Sequence, residues 1–334
     1  MIEVAASIGT MIVAAARAMG ADSAALAAHA NFDSARGSDP DARIPIGIET
    51  LLWDEAARVT GDGAFGVHAA QGLRPGMFDV IDYAVRTAAT LLESLERLAR
   101  YNRLVHDAAV FDLVREGDAL RVVHSLHGVK QSRHAAEFTL ASLVVVGGQI
   151  LGAPLRPLSV TFQHEVHGPT SEHERLFGVL PSFGRAENSV TLSLELLERP
   201  LSTSDPLLSR VIERHAEALL AARPAPAETS AARVRRLLCE KLGKEEAAAT
   251  LAGLASRLGM SERSLQRRLA DEGQTFDALL DQLRHELALR YLADKKIAIT
   301  EVAFLLGYSE PSAFHRAFKR WTGTTPSQAR QRAA

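Results

Sequence analysis

Two short stretches set arginine against apolar residues at helical spacing: Leu265-Gln266-Arg267-Arg268-Leu269 and Phe314-His315-Arg316-Ala317-Phe318. Leu265 and Leu269, like Phe314 and Phe318, fall four apart and bury one stripe of a helix, which leaves the opposite stripe, with its arginines, free. A guanidinium there can contact guanine in bidentate fashion or meet a phosphate. A serine stands ahead of each stretch, Ser261 and Ser309. Each can accept a bond from a first-turn N–H, and the same helix start can face a phosphate.

The elements that position these groups repeat. Leu254-Ala255 followed by Leu258-Gly259-Met260-Ser261-Glu262 returns as Val302-Ala303 followed by Leu306-Gly307-Tyr308-Ser309-Glu310, 48 positions later. Each copy reads as an apolar helix, a glycine turn and a second helix, the pattern of a helix-turn-helix, and the second copy is one residue longer after its glycine. Between them Phe276, Leu279, Leu280, Leu283, Leu287, Ala288 and Leu292 recur at helical spacing from Thr275 to about Lys295, after Gly273. At about 1.5 Å per residue these roughly 21 residues span about 30 Å, close to the roughly 34 Å between successive major-groove faces of a duplex. One chain can therefore read two adjacent grooves of double-stranded DNA.

At this point residues 231–332 resemble the AraC/XylS family of bacterial transcription regulators, whose C-terminal domain is two such units joined by a helix. Ile299, Val302-Ala303, Leu306-Gly307-Tyr308, Ser312, Phe314, Arg316, Phe318-Lys319, Trp321, Gly323, Thr325-Pro326 and Arg330 stand at the family's signature spacing. Ala329 departs from it, where the family has an aromatic residue. The resemblance implies base contacts from Arg263, Gln266 and Arg267 in the first unit and from Ser312, His315 and Arg316 in the second. It sets Arg268, Lys319 and Arg320, with Ser261 and Ser309, against backbone phosphates. Glu262 and Glu310 suit the helix dipole but repel phosphate, and either can instead accept from a cytosine amino group.

Charge divides along the same line. Residues 231–334 carry 18 Lys+Arg against 12 Asp+Glu, and residues 1–230 carry 20 against 28, so a net −2 conceals a basic module behind an acidic one. Helical pattern breaks at Ala222-Arg223-Pro224-Ala225-Pro226-Ala227-Glu228-Thr229-Ser230. The expected division is an effector-binding domain over 1–222, a linker over 223–230 and a double helix-turn-helix domain over 231–334.

The first domain reads as α+β, mostly helical with a few strands, and the second as all-α. Helical periodicity runs over Val4–Met19, Ile46–Val59, Leu91–Val105, Glu137–Leu151 and Pro206–Ala221. Alternation at Val110–Val114 and Leu120–Val123 about Glu116-Gly117-Asp118 predicts a hairpin, with further strands at Leu158–Gln163 and Ser189–Leu194. Short phrases here resemble the arabinose-binding-like effector domain of a subgroup of the same family: Asp39-Pro40-Asp41-Ala42-Arg43-Ile44-Pro45, Phe65-Gly66-Val67, Leu91-Leu92-Glu93-Ser94-Leu95 with Arg100-Tyr101, Phe177-Gly178 with Phe183, and Arg199-Pro200-Leu201. That subgroup regulates amino-acid and other catabolic genes; its label does not make a sugar the ligand.

Other residues that could do chemistry carry simpler readings. His164, His167 and His173 near Glu165 and Glu174 match no standard zinc spacing, and they read as loop histidines on an acidic surface. His124, His127 and His134 flank a strand end and a helix start. Val146-Gly147-Gly148 lies in an apolar helix, where close packing accounts for the glycines, and Glu245-Glu246 lies in a charged stretch. Tyr83, Tyr101 and Phe78 are core residues or approach a pocket. Cys239, the single cysteine, reads as a buried structural thiol. No catalytic motif, cofactor fingerprint or metal site is expected.

No run approaches 18 uninterrupted apolar residues, and Val4–Ala16, preceded by Glu3 without basic residues, reads as a core helix rather than a signal peptide. Cytoplasm is the expected compartment. The resemblance implies a sequence-specific DNA-binding regulator, an activator contacting RNA polymerase, controlled by a small-molecule effector and able to form a homodimer. Its rivals are a ligand-independent regulator whose first domain only dimerises and a DNA-repair enzyme that would need a reactive Cys239 near zinc ligands.

Overall fold

In the computed structural model the described residues are 2–126, 129, 131–201, 204–223, 230–241, 250–271, 274–293, 297–322 and 324–332. They fall into two compact units, Met1–Pro224 and Ala225–Ala334. The proposed linker positions 224–229, together with His127, Gly273, Glu245-Glu246 and Gly323, lie outside the described residues.

In the first unit two three-residue strands, β1 (Glu3–Ala5) and β2 (Arg43–Pro45), pair antiparallel with Val4 opposite Ile44. Each runs straight into a helix, α1 (Ala6–Ala18) and α3 (Ile46–Thr60), so the pairing sets two helices side by side. The helix expected from Val4 therefore starts two residues later, because Val4 and Ala5 are drawn into a ladder whose other strand lies about forty residues away. Between and after them come α2 (Ser23–His29), α4 (Phe65–Gln71), α5 (Asp79–Arg86) and α6 (Leu91–Tyr101). Asp22 and Thr90 cap α2 and α6 by accepting first-turn N–H bonds.

The second sheet has the order β3-β4-β6-β5, all antiparallel, with β3 (Ala109–Glu116), β4 (Ala119–Leu126), β5 (Ser159–Thr161) and β6 (Asn188–Ser193). Glu116 pairs with Ala119, leaving a two-residue turn in which Gly117 has φ 59°, the left-handed conformation such a hairpin requires. The long helix α7 (Arg133–Leu151) runs through the middle of the unit, packed on α3, α4, α8 (Ser171–Phe177) and β6. Its length and apolarity would suit a membrane span, but 56% of that stretch is buried inside the fold. Gly66 makes the α4–α7 approach possible, since a Cβ there would stand 2.1 Å from the His134 carbonyl oxygen. Gly147 serves likewise, its absent Cβ falling 2.5 Å from Leu155. The short α9 (Leu194–Leu197) follows β6, and α10 (Pro206–Ala222) packs on α5 and α6, with Tyr101 donating to Glu217 at 2.7 Å.

The second unit is all-α: α11 (Ser230–Lys241), α12 (Leu251–Arg257), α13 (Glu262–Asp271), α14 (Phe276–Ala293), α15 (Ile299–Leu305), α16 (Pro311–Thr322) and α17 (Pro326–Arg332). It holds two small cores on one rod. Leu279 and Leu283 of α14 complete the first with Val234, Leu238, Leu254, Leu265 and Leu269. Ala288 and Leu292 complete the second with Val302, Leu306, Phe314 and Phe318, and Leu287 touches both. At 18 residues α14 is about 27 Å long, somewhat shorter than expected. Both turns need a left-handed glycine, Gly259 at φ 67° and Gly307 at φ 76°.

Cys239 is exposed, not buried. The buried stripe of α11 is Val234, Leu237 and Leu238, and Cys239 falls one position off it.

Candidate nucleic-acid interface and ligand cavity

In α13, Leu265 and Leu269 are buried while Glu262, Arg263, Gln266, Arg267 and Arg268 are exposed. In α16, Phe314, Ala317 and Phe318 are buried while Ser312, His315, Arg316, Lys319 and Arg320 are exposed. Among the described residues, Arg263, Arg267, Arg268, Arg316 and Lys319 have no ion-pair partner, so their charges are available to a ligand. Arg320 differs. Its Nη2 lies 2.6 Å from Asp281 Oδ2, a bond that ties α16 to α14 and competes with the phosphate contact expected of it.

The two serines are not equivalent. Ser261 Oγ accepts from the Ser264 N–H at 3.2 Å and caps α13. Ser309 makes no such bond: the extra residue in the second loop lets α16 begin at Pro311, which has no N–H to offer, and Ala313 N donates instead to the Glu310 carbonyl at 3.1 Å. Ser309 remains exposed, two residues ahead of the helix. Ser312 Oγ donates to Glu310 Oε2 at 3.1 Å.

Two supporting arginines escape sequence reasoning in their roles. Arg284 of α14 donates from Nε to the Leu306 carbonyl at 3.0 Å and from Nη2 to the Gly307 carbonyl at 3.3 Å, and its guanidinium lies 4.4 Å from the Tyr308 ring. It pins the second turn to the rod. Arg330 of α17 donates to the carbonyls of Leu292 (3.2 Å) and Ile297 (2.8 Å), anchoring the last helix at the rod's far end, where Ala329 packs against the second core. Thr325 and Gln328 exchange reciprocal bonds at the start of α17, a capping box that explains the Thr325-Pro326 pair.

The first unit holds a partly open cavity of about 170 Å³ between the second sheet and α3, α5, α6 and α7. Its wall is mainly apolar, with Trp53, Phe111, Phe138 and Leu143 among its members, and Phe78 also lines it. Tyr83 is instead half exposed on the surface and Tyr101 is core. His124 lines the cavity at 3% exposure, and burial, with a smaller push from His106, takes its pKa down to about 3.

Of the three histidines read as surface-loop residues, His167 is exposed on a loop as expected, but His164 and His173 turn inward. His134 and Glu137 of α7, His164 after β5 and His173 of α8 converge: Glu137, 1% exposed, has the three imidazoles 3.5, 3.6 and 3.3 Å away. Burial raises its pKa, but His134 and His173 draw it down to about 2. His167 stacks near His164 with ring centroids 6.4 Å apart. No group of three donors among the described residues is arranged to hold a metal ion.

Comparison with known proteins agrees with both units. Residues 20–201 match the arabinose-binding domain at the N-terminus of AraC transcription regulators, and residues 254–332 match a helix-turn-helix domain. The chain is 32% identical over 307 residues to the ornithine utilization regulator of Pseudomonas aeruginosa, covering 90% of this chain and 89% of that one. It is 30% identical over 272 residues to the transcriptional regulator VirS of Mycobacterium tuberculosis, covering 80% and 78%. The crystal structure of the transcriptional regulator CdpR from Pseudomonas aeruginosa is 24% identical, with a TM-score of 0.40 and coverage of 92% of this chain and 95% of that one. These relatives are regulators rather than enzymes. The chain belongs to the AraC family of DNA-binding transcription regulators, with a ligand-binding domain ahead of its double helix-turn-helix.

Proposed function

We propose that this regulator activates transcription under the control of a small-molecule effector held in the cavity of its first unit, with residues 1–222 as the effector domain, 223–230 as linker and 231–334 as the DNA-binding domain. The cavity carries this reading: an apolar hollow between a sheet and four helices lies in the part of the chain that matches a ligand-binding family. Ligand favours the arrangement of domains, or of two protomers, that sets both recognition helices on adjacent grooves. Arg263, Gln266 and Arg267 read one half of the site and Ser312, His315 and Arg316 the other. Ser261, Arg268, Ser309, Lys319 and Arg320 meet phosphates, with Arg320 leaving Asp281 to do so. RNA polymerase is the downstream partner, a homodimer the working assembly and the cytoplasm the compartment. Catabolic genes are the expected targets, as for the ornithine utilization regulator.

A reporter driven by a DNA site selected with the purified protein tests this. Ser142→Phe, which fills the cavity, abolishes metabolite-dependent expression while leaving affinity of the ligand-free protein for the site unchanged. Unaltered metabolite response in that variant refutes effector control through the cavity.

A further inference from the structure

The wall of the cavity constrains what enters it. Among the described residues it contains no lysine or arginine. Its two carboxylates are already engaged. Glu49 lies 3.3 Å from His106 Nε2 and accepts from Trp53 Nε1 at 3.2 Å, and His106 Nδ1 in turn accepts from the Ala108 and Ala109 N–H groups, which places its proton on the side of Glu49. Asp82 is held by Arg86 at 2.7 Å and accepts from the Gly76 N–H. The hydroxyls of Thr50, Ser94, Thr139 and Ser142 all donate to backbone carbonyls. Among the described lining residues a carboxylate entering here finds no lysine or arginine, and an ammonium finds only carboxylates whose partners it must displace; either charge is costly to bury unpaired.

Among the described lining residues the Asn102 amide already donates to the Ala109 carbonyl and the hydroxyls keep only acceptor capacity, whereas His124 keeps a ring nitrogen without a hydrogen bond. His124 is neutral across the physiological range, and its single hydrogen-bond neighbour among the described residues is Gln131, 3.5 Å from Nδ1. That leaves Nε2 for a ligand. The volume of about 170 Å³ compares with roughly 150 Å³ for a protein cavity that accepts benzene, so one ring with a short substituent fits.

Resting on the reading of the cavity as the effector site, we propose that the effector is an uncharged, mainly apolar small molecule with a single hydroxyl or carbonyl that bonds to His124. The regulator then responds to a neutral ring or branched hydrocarbon derivative rather than to a free amino acid, in contrast to what the name of its ornithine-related relative suggests.

Calorimetric titration of the full chain with 2-phenylethanol, phenylacetate, 2-phenylethylamine and L-ornithine decides the matter. 2-Phenylethanol binds, and each charged probe is at least about tenfold weaker. His124→Phe lowers the preference for 2-phenylethanol over ethylbenzene by about five- to tenfold. In the wild-type chain, so that no variant needs to fold, the His124 ring nitrogen resonance moves on adding 2-phenylethanol and stays in place with ethylbenzene. Equal or tighter binding of a charged probe, a silent His124 resonance, or no binding of 2-phenylethanol at millimolar concentration overturns the proposal. Ser142→Phe separates the two levels: a charged probe whose binding it abolishes leaves the cavity as effector site and removes only the chemical class, whereas binding indifferent to it removes the site.

Discussion

Replacing Arg284 with methionine keeps the apolar stem that lies along α14 but removes the bonds holding the second turn. The bond to the Leu306 carbonyl is part-buried and the bond to Gly307 more exposed. A charge-assisted bond contributes about 1.5–3 kcal/mol at most, and exposure places the pair toward the lower end. The contact with the Tyr308 ring adds about 0.5 kcal/mol at a surface site. Against these stand the side-chain entropy and water bonds regained, so the net loss is about 2 kcal/mol. That corresponds to about thirtyfold more opening of the second turn. The amides of Gly307 and Tyr308, bonded to Phe304 O at 2.9 Å and Ala303 O at 3.0 Å, report it directly by hydrogen exchange. Gly259 and Met260, bonded in the same way in the first turn, serve as the internal reference. Faster exchange confined to Gly307 and Tyr308 is the expected result. Unchanged exchange there, or an equal rise at Gly259 and Met260, refutes the assignment of Arg284 as the tie between rod and turn.

Other expectations concern the cap, the core and pH. Ser261→Ala costs about 1 kcal/mol in thermal unfolding of the DNA-binding unit, whereas Ser309→Ala costs almost nothing, because only the first serine accepts a helix N–H; equal losses would contradict the difference in caps. Gly66→Ala destabilises the first unit by roughly 1–3 kcal/mol in urea unfolding, since the new methyl meets the His134 carbonyl, and a neutral outcome would mean that α4 and α7 are not in contact there. His124 takes up its proton near pH 3 in the folded unit but near 6.5 in the unfolded chain. The unfolded state therefore binds more protons between those values, and the contribution, complete above pH 6.5, is lost as pH falls toward 3. At pH 5 the loss is about 2 kcal/mol. Urea unfolding followed through Trp53 in a Trp321→Phe background checks this, and a flat profile between pH 7.5 and 5 would contradict it.

The parts of the fold that were legible were those written in local pattern. The duplicated Gly259 and Gly307 turns, the stripes of Leu265/Leu269 and Phe314/Phe318, and the Gly117 hairpin each depend on residues within one or two turns of chain. What escaped depends on distant partners. β1 and β2 are three residues long and exist only because they find each other across about forty positions. Arg284 and Arg330 draw their roles from carbonyls 22, 23, 33 and 38 residues away. His164 and His173 look like loop residues until α7 brings Glu137 beneath them. The cavity, assembled from residues between Ile8 and Leu197, has no local signature at all. Ser309 shows a subtler failure: one inserted residue moved the helix start past it, although its neighbours kept their spacing from the first copy.

The central claim is that two recognition helices on one rod read two successive major grooves. Methylation-interference footprinting on a duplex selected by the full-length wild-type chain tests it most directly, repeated with Arg267→Ala, Arg316→Ala and Lys319→Ala. Two major-groove patches about 10 base pairs apart are expected, each arginine variant losing one patch at a cost of roughly 1–3 kcal/mol and Lys319→Ala weakening all sequences alike. A single patch, or arginine variants that lose affinity equally for the selected and random duplexes, would contradict it.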